Sequence, residues 1–348
     1  MHEENHGPDD FDPDEYTDFE EPPDINEVID ALLDADSIFP ARFLYRLSGL
    51  EALELEQFNE AWPEADAARR ERMLEDLEIL ADTTTHLDFD NIFRLGLRET
   101  SAHARKLSVR GLWESEDPDL ALLLLEMMEI DPDLDVRIQA ARGLGKFIFL
   151  GEMEDIDPEL AEQITDRLVE IVQSDQPEGL RRAALESLGF ATRPEVNQQI
   201  EAAANQGKED WLISALVAIG RSADSQWAPT VIENFNHDSA EVRLEAAQAA
   251  GLLASQSAAT HLLHLIDDPE QDVRQAAIWA LSEIGGLDAR AAIEGLLRNA
   301  ADDEDIELLE DALENLDFTE MAINFDLFDL SEDDLSDMLE DDIDDEKE

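Results

Sequence analysis

Three short stretches bring together residue types at spacings that could do chemistry. His261 and His264 stand three apart on a helical run, with Asp267 and Asp268 one turn further, a spacing that offers imidazoles and carboxylates to one metal ion. The same pair flanks Leu262 and Leu263, as partly exposed histidines on an ordinary helix do, and this plainer reading is preferred. Asp131, Asp133 and Asp135 imitate the opening of a calcium loop, but Val136 occupies the glycine position and Arg142 the glutamate position, so a helix-capping turn fits better. ARGLGK, residues 141–146, hints at a phosphate cradle. Ala140 stands where such a loop needs its first glycine, and Phe147 follows the lysine in place of Ser or Thr, so a helix end is the better reading. Neither H-E-x-x-H nor G-x-S-x-G occurs. The expectation is therefore a chain that is not an enzyme, with no catalytic residue, no cofactor and no metal.

The composition narrows the alternatives. Among 348 residues there is no cysteine, which removes disulfides and thiolate chemistry and points to a reducing compartment, the cytoplasm. No apolar run approaches the length of a membrane span, and the first 24 residues lack the basic start and apolar stretch of a signal peptide. Acidic side chains number 88 against 24 basic ones, a formal charge of −64, so direct binding to nucleic acid is disfavoured and a basic protein partner is favoured. The 20 arginines against 4 lysines, with this acid excess, also fit a salt-adapted or GC-rich genome.

The charge is uneven. Residues 1–36 hold 15 acidic side chains and no Lys or Arg, and residues 301–348 hold 23 with a single Lys. Such segments repel themselves and fail to bury a core alone, so residues 1–24 read as an acidic disordered tail and 317–348 as an acidic-hydrophobic one. In the latter, Phe325, Leu327, Phe328, Leu330, Leu335, Met338 and Leu339 alternate with carboxylates, as in segments that fold on binding. That tail is expected to act as a ligand, for another protein or for the basic end of its own chain at Arg105, Lys106, Arg110, Arg137, Arg142, Arg181 and Arg182.

The body between the tails repeats one phrase. AHARKLSVRGL starts it at Ala104, DVRIQAARGLG at Val136, LRRAALESLG at Leu180, WLISALVAIG at Trp211, VRLEAAQAAG at Val242 and VRQAAIWALS at Val273. The starts fall 31 or 32 residues apart, except for one interval of 44 that holds an insertion around residues 147–163. A fixed period of this size is the signature of stacked helical units. Within a unit, Val242, Ala246, Ala247 and Ala250 lie on one helix face, and a turn and another helical run precede each phrase, giving two helices per unit. The Ala pair allows close helix approach, and turns such as Asp131-Pro132 and Asp268-Pro269 end one helix and offer a carboxylate to the next. Arg137, Arg181, Arg243 and Arg274 recur at one place and are expected to form an ion-pair ladder with those aspartates.

The run D-x-x-V-R-x-x-A-A-x-x-L-G, as in 133–145, 239–251 and 270–282, resembles the HEAT repeat in its short bacterial version, named for phycobilin-lyase-like proteins. The resemblance implies an all-α fold, a right-handed α-solenoid of five or six two-helix units over 100–316, with residues 25–99 as a helical N-terminal cap and 302–316 as a closing helix or pair. It also implies an armadillo-like binding surface. The metal-dependent hydroxylases of this group take ligands from His-Glu pairs within the repeats, and the only such dipeptide here is His2-Glu3.

Position six of each phrase is expected to face a concave groove. It holds Arg110, Arg142, Glu186, Val217, Gln248 and Trp279, which with Phe325 and Phe328 of the tail make up the candidate partner-binding set. Three functions stay open at this level: a non-catalytic protein-interaction scaffold, an acidic chaperone or nucleic-acid mimic for a basic protein, and a lyase-like or cofactor-handling protein. The scaffold fits the residues best; the partner's identity and the oligomeric state are not written in them.

Overall fold

Short polar side chains before apolar runs set where the helices begin. Asp24, Asp66, Ser101, Asp117 and Asp133 each accept a hydrogen bond from a backbone N–H of the turn they precede, and Pro118, Pro158 and Pro194 start helices whose first N–H needs no partner. A computed structural model describes residues 23–84 and 86–328, with side chains to 321. Every described helix or strand is helical, and the chain divides into two compact units at Ile164/Thr165.

The first unit holds α1 (Ile25–Leu33), α2 (Arg42–Arg46), α3 (Ala52–Ala61), α4 (Ala67–Thr83), α5 (Asp90–Gly96), α6 (Ala102–Gly111), α7 (Pro118–Ile130) and α8 (Leu134–Glu152), and α9 (Pro158–Gln173) carries the boundary. The second holds α10 (Glu178–Leu188), α11 (Pro194–Asn205), α12 (Glu209–Ser222), α13 (Ala228–Asn234), α14 (Ala240–Leu252), α15 (Gln256–Leu262), α16 (Gln271–Ile284), α17 (Leu287–Leu297) and α18 (Asp303–Phe328). The phrase helices stack directly on one another, with one phrase-less helix at either end: α4, α6 and α8 form a row in the first unit, and α10, α12, α14, α16 and α18 a row in the second. The intervening helices pack one by one against that row, α5 on α6, α7 on α8, α11 on α12, α13 on α14, α15 on α16 and α17 on α18. Each unit is therefore an α-solenoid stack of helix pairs.

The Ala pairs sit where stacked helices touch. Ala140, Ala141, Ala183, Ala184, Ala246 and Ala247 are fully buried, alongside Val136, Leu180 and Val242 at the phrase starts. The 44-residue interval is taken up by longer helices: α8 runs 19 residues where α14 runs 13, and α9 runs 16 where α15 runs 7. Helix α5 begins at Asp90 and packs on α6.

Arg105 and the recurrent arginines all donate to backbone carbonyls, Arg105 to those of Glu99 and Thr100 and Arg243 to those of His237 and Asp238. Arg105 and Arg243 each grip an aspartate of the following turn with two hydrogen bonds, to Asp131 at 2.8 Å twice and to Asp268 at 2.7 and 2.9 Å. Arg137 and Arg181 donate to the Met128 and Val172 carbonyls, and Arg274 to those of Asp268 and Pro269. The expected ladder is thus part ion pair and part carbonyl cap, because a guanidinium at this position lies over the frayed end of the preceding helix. Asp131 and Asp268 also accept the N–H two residues on, from Asp133 and Glu270, so they close the turn themselves rather than cap the next helix.

A candidate protein-interaction surface

Along α14, Leu244, Gln248 and Leu252 recur at one helix face, and along α16, Asp272, Ala276, Trp279 and Glu283 do the same. These two stripes and Leu308 of α18 enclose a groove of about 700 Å³, whose walls also include Gln275, Gly251 and Ala280. Its apolar parts are open to solvent: Leu252 is 63% exposed and Trp279 46%. Gly251 lets the two helices close up beneath it, since a Cβ there would lie 3.0 Å from the Ala280 Cα. Asn315 Nδ2 donates to Glu283 Oε1 at 2.8 Å and to Ser282 Oγ at 3.0 Å, fixing the carboxylate at the rim.

Two of the candidate partner-binding residues, Gln248 and Trp279, meet in this groove. Val217 is half-buried on α12. Glu186 corrects the expectation that position six always faces solvent: it is buried, its Oε1 accepting from Ser214 Oγ at 2.7 Å. The cause is a tight approach of α12 at Gly189, where a Cβ would stand 2.5 Å from the Ala218 carbonyl oxygen. Burial, and next the Glu186 charge, push the nearby Glu245 carboxyl above the ordinary range, with Arg221 opposing them.

Arg110 and Arg142 are exposed on the first unit. Arg110 pairs with Glu78 at a smaller groove of about 470 Å³, lined by Ile79, Gln139 and Trp113. Phe325 and Phe328 lie on the last turns of α18, and their side chains, like residues 1–22 and 329–348 of the two tails, fall outside the described residues. The cations proposed to attract the tail already have partners: Arg105 holds Asp131, Lys106 Asp135, Arg182 Asp210, and Arg181 lies 5.1 Å from the Trp211 ring centroid.

The stretches that could do chemistry serve structure where they are described. ARGLGK is interior to α8, and Lys146 donates to the Trp113 and Glu114 carbonyls. Asp133 caps α8, and Asp268 is committed to Arg243. His261 and His264 are exposed. Among the described residues no group of three or more His, Asp or Glu is arranged to hold a metal ion, and no helix is long and apolar enough to cross a membrane.

The family described as HEAT repeats matches residues 93–189 and 228–317. The chain belongs to the HEAT-repeat family. No curated protein matches it. Among solved structures, Escherichia coli YibA is 18% identical, covering 68% of this chain and 95% of its own, with a TM-score of 0.40. The complex of CpcE and CpcF of phycocyanin lyase from Nostoc sp. PCC7120 is 19% identical, covering 66% and 94%, with a TM-score of 0.43. Yeast importin-beta is 11% identical over 84% of this chain and 46% of its own, with a TM-score of 0.47.

Reading one HEAT helix at a time hides the groove. Leu244, Leu252, Asp272, Gln275, Glu283 and Leu308 all line it and were not singled out from sequence. The available signal for Leu244, Leu252, Gln275 and Glu283 was their place four residues from Gln248 or Trp279, whereas Asp272 lies two turns from Trp279 and Leu308 comes from another helix.

Proposed function

We propose that the chain is a non-catalytic scaffold that binds a protein partner through the outward face of its stacked phrase helices. The observation that carries this reading is Trp279, exposed beside Leu252 in a groove of about 700 Å³. Large apolar side chains left in water over a concave surface, with amides and carboxylates at the rim, are what an anchor-binding surface needs. The formal charge of −64 favours a basic partner and speeds its encounter at low salt. The cytoplasm is the proposed location.

Affinity capture with the intact chain and with Trp279→Ala, followed by mass spectrometry, tests the proposal. The expected result is a partner retained by the first and lost from the second while both melt alike. Identical captures by the two proteins would overturn it.

A further inference from the structure

On the basis of the scaffold role proposed above, we infer that the groove between α14, α16 and α18 receives a cationic peptide segment, one large apolar side chain resting on Trp279 and flanking Lys or Arg side chains meeting the carboxylate rim. The floor and the rim argue for different parts of that occupant. Leu244, Ala276, Trp279 and Leu252 supply an apolar floor, and Gln248 and Gln275 supply amide donors and acceptors suited to a peptide backbone.

The rim carries acid without counter-charge. No Lys or Arg lines the groove, whereas Asp272 and Glu283 do. The arginines of its two wall helices are engaged at the turns, Arg243 with Asp268 and Arg274 with the Asp268 and Pro269 carbonyls. The third wall is more acidic still. Helix α18 holds ten carboxylates and no basic residue over its 26 positions, and Arg290 of α17 pairs with two of them, Asp317 and Glu320. Glu304 and Asp311, four before and three after Leu308, share its side of α18 and are exposed. Further along the row, Glu241 and Glu245 extend the acidic edge of α14, and the pKa of Glu245 is raised by burial and by Glu186. An acidic or neutral segment would add repulsion or leave these charges unmet; a cationic one neutralises them.

Fluorescence anisotropy with the full chain and three labelled twelve-residue probes tests this. One probe has a central phenylalanine flanked by lysines and arginines, the second the same phenylalanine flanked by glutamines, and the third the basic flanks around a serine. The first is expected to bind at least tenfold more tightly than either other, and to weaken at least fivefold between about 0.1 and 1 M salt as screening shortens. Trp279→Ala is expected to weaken it tenfold or more, and the double variant Asp272→Lys/Asp311→Lys to erase its advantage over the glutamine probe. Both variants alter exposed residues, and unchanged thermal melting verifies their fold. Equal binding of the glutamine probe, lost in Trp279→Ala, would refute the cationic occupant and leave the scaffold role standing. Basic-probe binding unaffected by Trp279→Ala, or equal binding of the serine probe, would refute the anchor. If no probe binds and Trp279→Ala also keeps every captured partner, both the inference and the scaffold role at this face are wrong.

Discussion

Arg243 grips Asp268 with two edges of its guanidinium, Nε 2.7 Å from Oδ2 and Nη2 2.9 Å from Oδ1, and both side chains are nearly buried. The pair fastens α14 to the turn that precedes α16, so one repeat is tied to the next. The Arg243 hydrogen bonds are the main reason the Asp268 carboxyl is held below its usual range. A folded-state pKa below the unfolded one means stability that is present above about pH 3.9 and is lost as pH falls through the lower folded value. Asp268→Asn is expected to lower stability by about 3 kcal/mol at pH 7. At an acidic pH below about 3.9 the loss is expected to be smaller, as the carboxyl of the unaltered chain takes up its proton. Urea unfolding at both values, with hydrogen exchange of α14 and α16 as the local readout, checks this. Equal losses at both values would contradict it.

The closing glycine of the phrase is a spacing device. At Gly189 an added Cβ would meet the Ala218 backbone at 2.5 to 3.0 Å, and backbone cannot swing away. Gly189→Ala is expected to destabilise by about 1–3 kcal/mol, outweighing the ~1 kcal/mol that alanine contributes to a helix. Gly295 in α17 is the contrasting case, its nearest neighbour being Arg298 Nη2 at 3.7 Å. Gly295→Ala is expected to stabilise by about 0.5–1 kcal/mol. Paired denaturation curves that move in the same direction would dismiss the spacing argument.

The stack was legible in sequence because its requirements are local: Ala246, Ala247 and Ala250 recur on one face and are all buried. What was hidden depends on partners far along the chain. Glu186 turns inward because Ser214, 28 residues later, donates to it. The groove was half legible, through Gln248 and Trp279, since each wall belongs to a different repeat and the third comes from α18. That helix runs on through Phe328, beyond the 302–316 segment where acidic and apolar residues alternate without the repeat phrase. The pairing of Arg243 with Asp268 was foreshadowed by period, but that of Arg105 with Asp131 and the carbonyl partners of all five arginines were not. Backbone acceptors leave no trace in residue type.

Glu245 supplies a prediction of opposite sign to Asp268. Burial raises its pKa first and the Glu186 charge adds to that, so the ionised form is disfavoured in the folded chain. A folded pKa raised above the unfolded one means stability that is fully present below the unfolded value and is lost as pH rises through the folded value. Glu245→Gln is therefore expected to raise the melting temperature at pH 7 and to bring no gain at about pH 3, where the native carboxyl is already neutral. A melting temperature lowered at pH 7 would mean that the attraction to Arg221 outweighs burial.

Helix α18 closes the second unit, and its two faces should respond differently to substitution. Leu309, Ala312 and Leu316 are buried on the side packed against α16 and α17, whereas Phe318 is 71% exposed. Truncating Leu316 leaves a cavity that the neighbouring helices refill only in part, so Leu316→Ala is expected to destabilise by about 2–5 kcal/mol. Phe318→Ser is expected to stay within about 0.5 kcal/mol of the unaltered chain. Because α18 forms the third wall of the groove, Leu316→Ala should also weaken binding of the basic phenylalanine probe at temperatures where the rest of the unit remains helical. Urea unfolding, circular dichroism and anisotropy on the same samples separate these effects. A neutral Leu316→Ala would mean that α18 is dispensable to the core, and that the acid it presents beside Trp279 is not held in place.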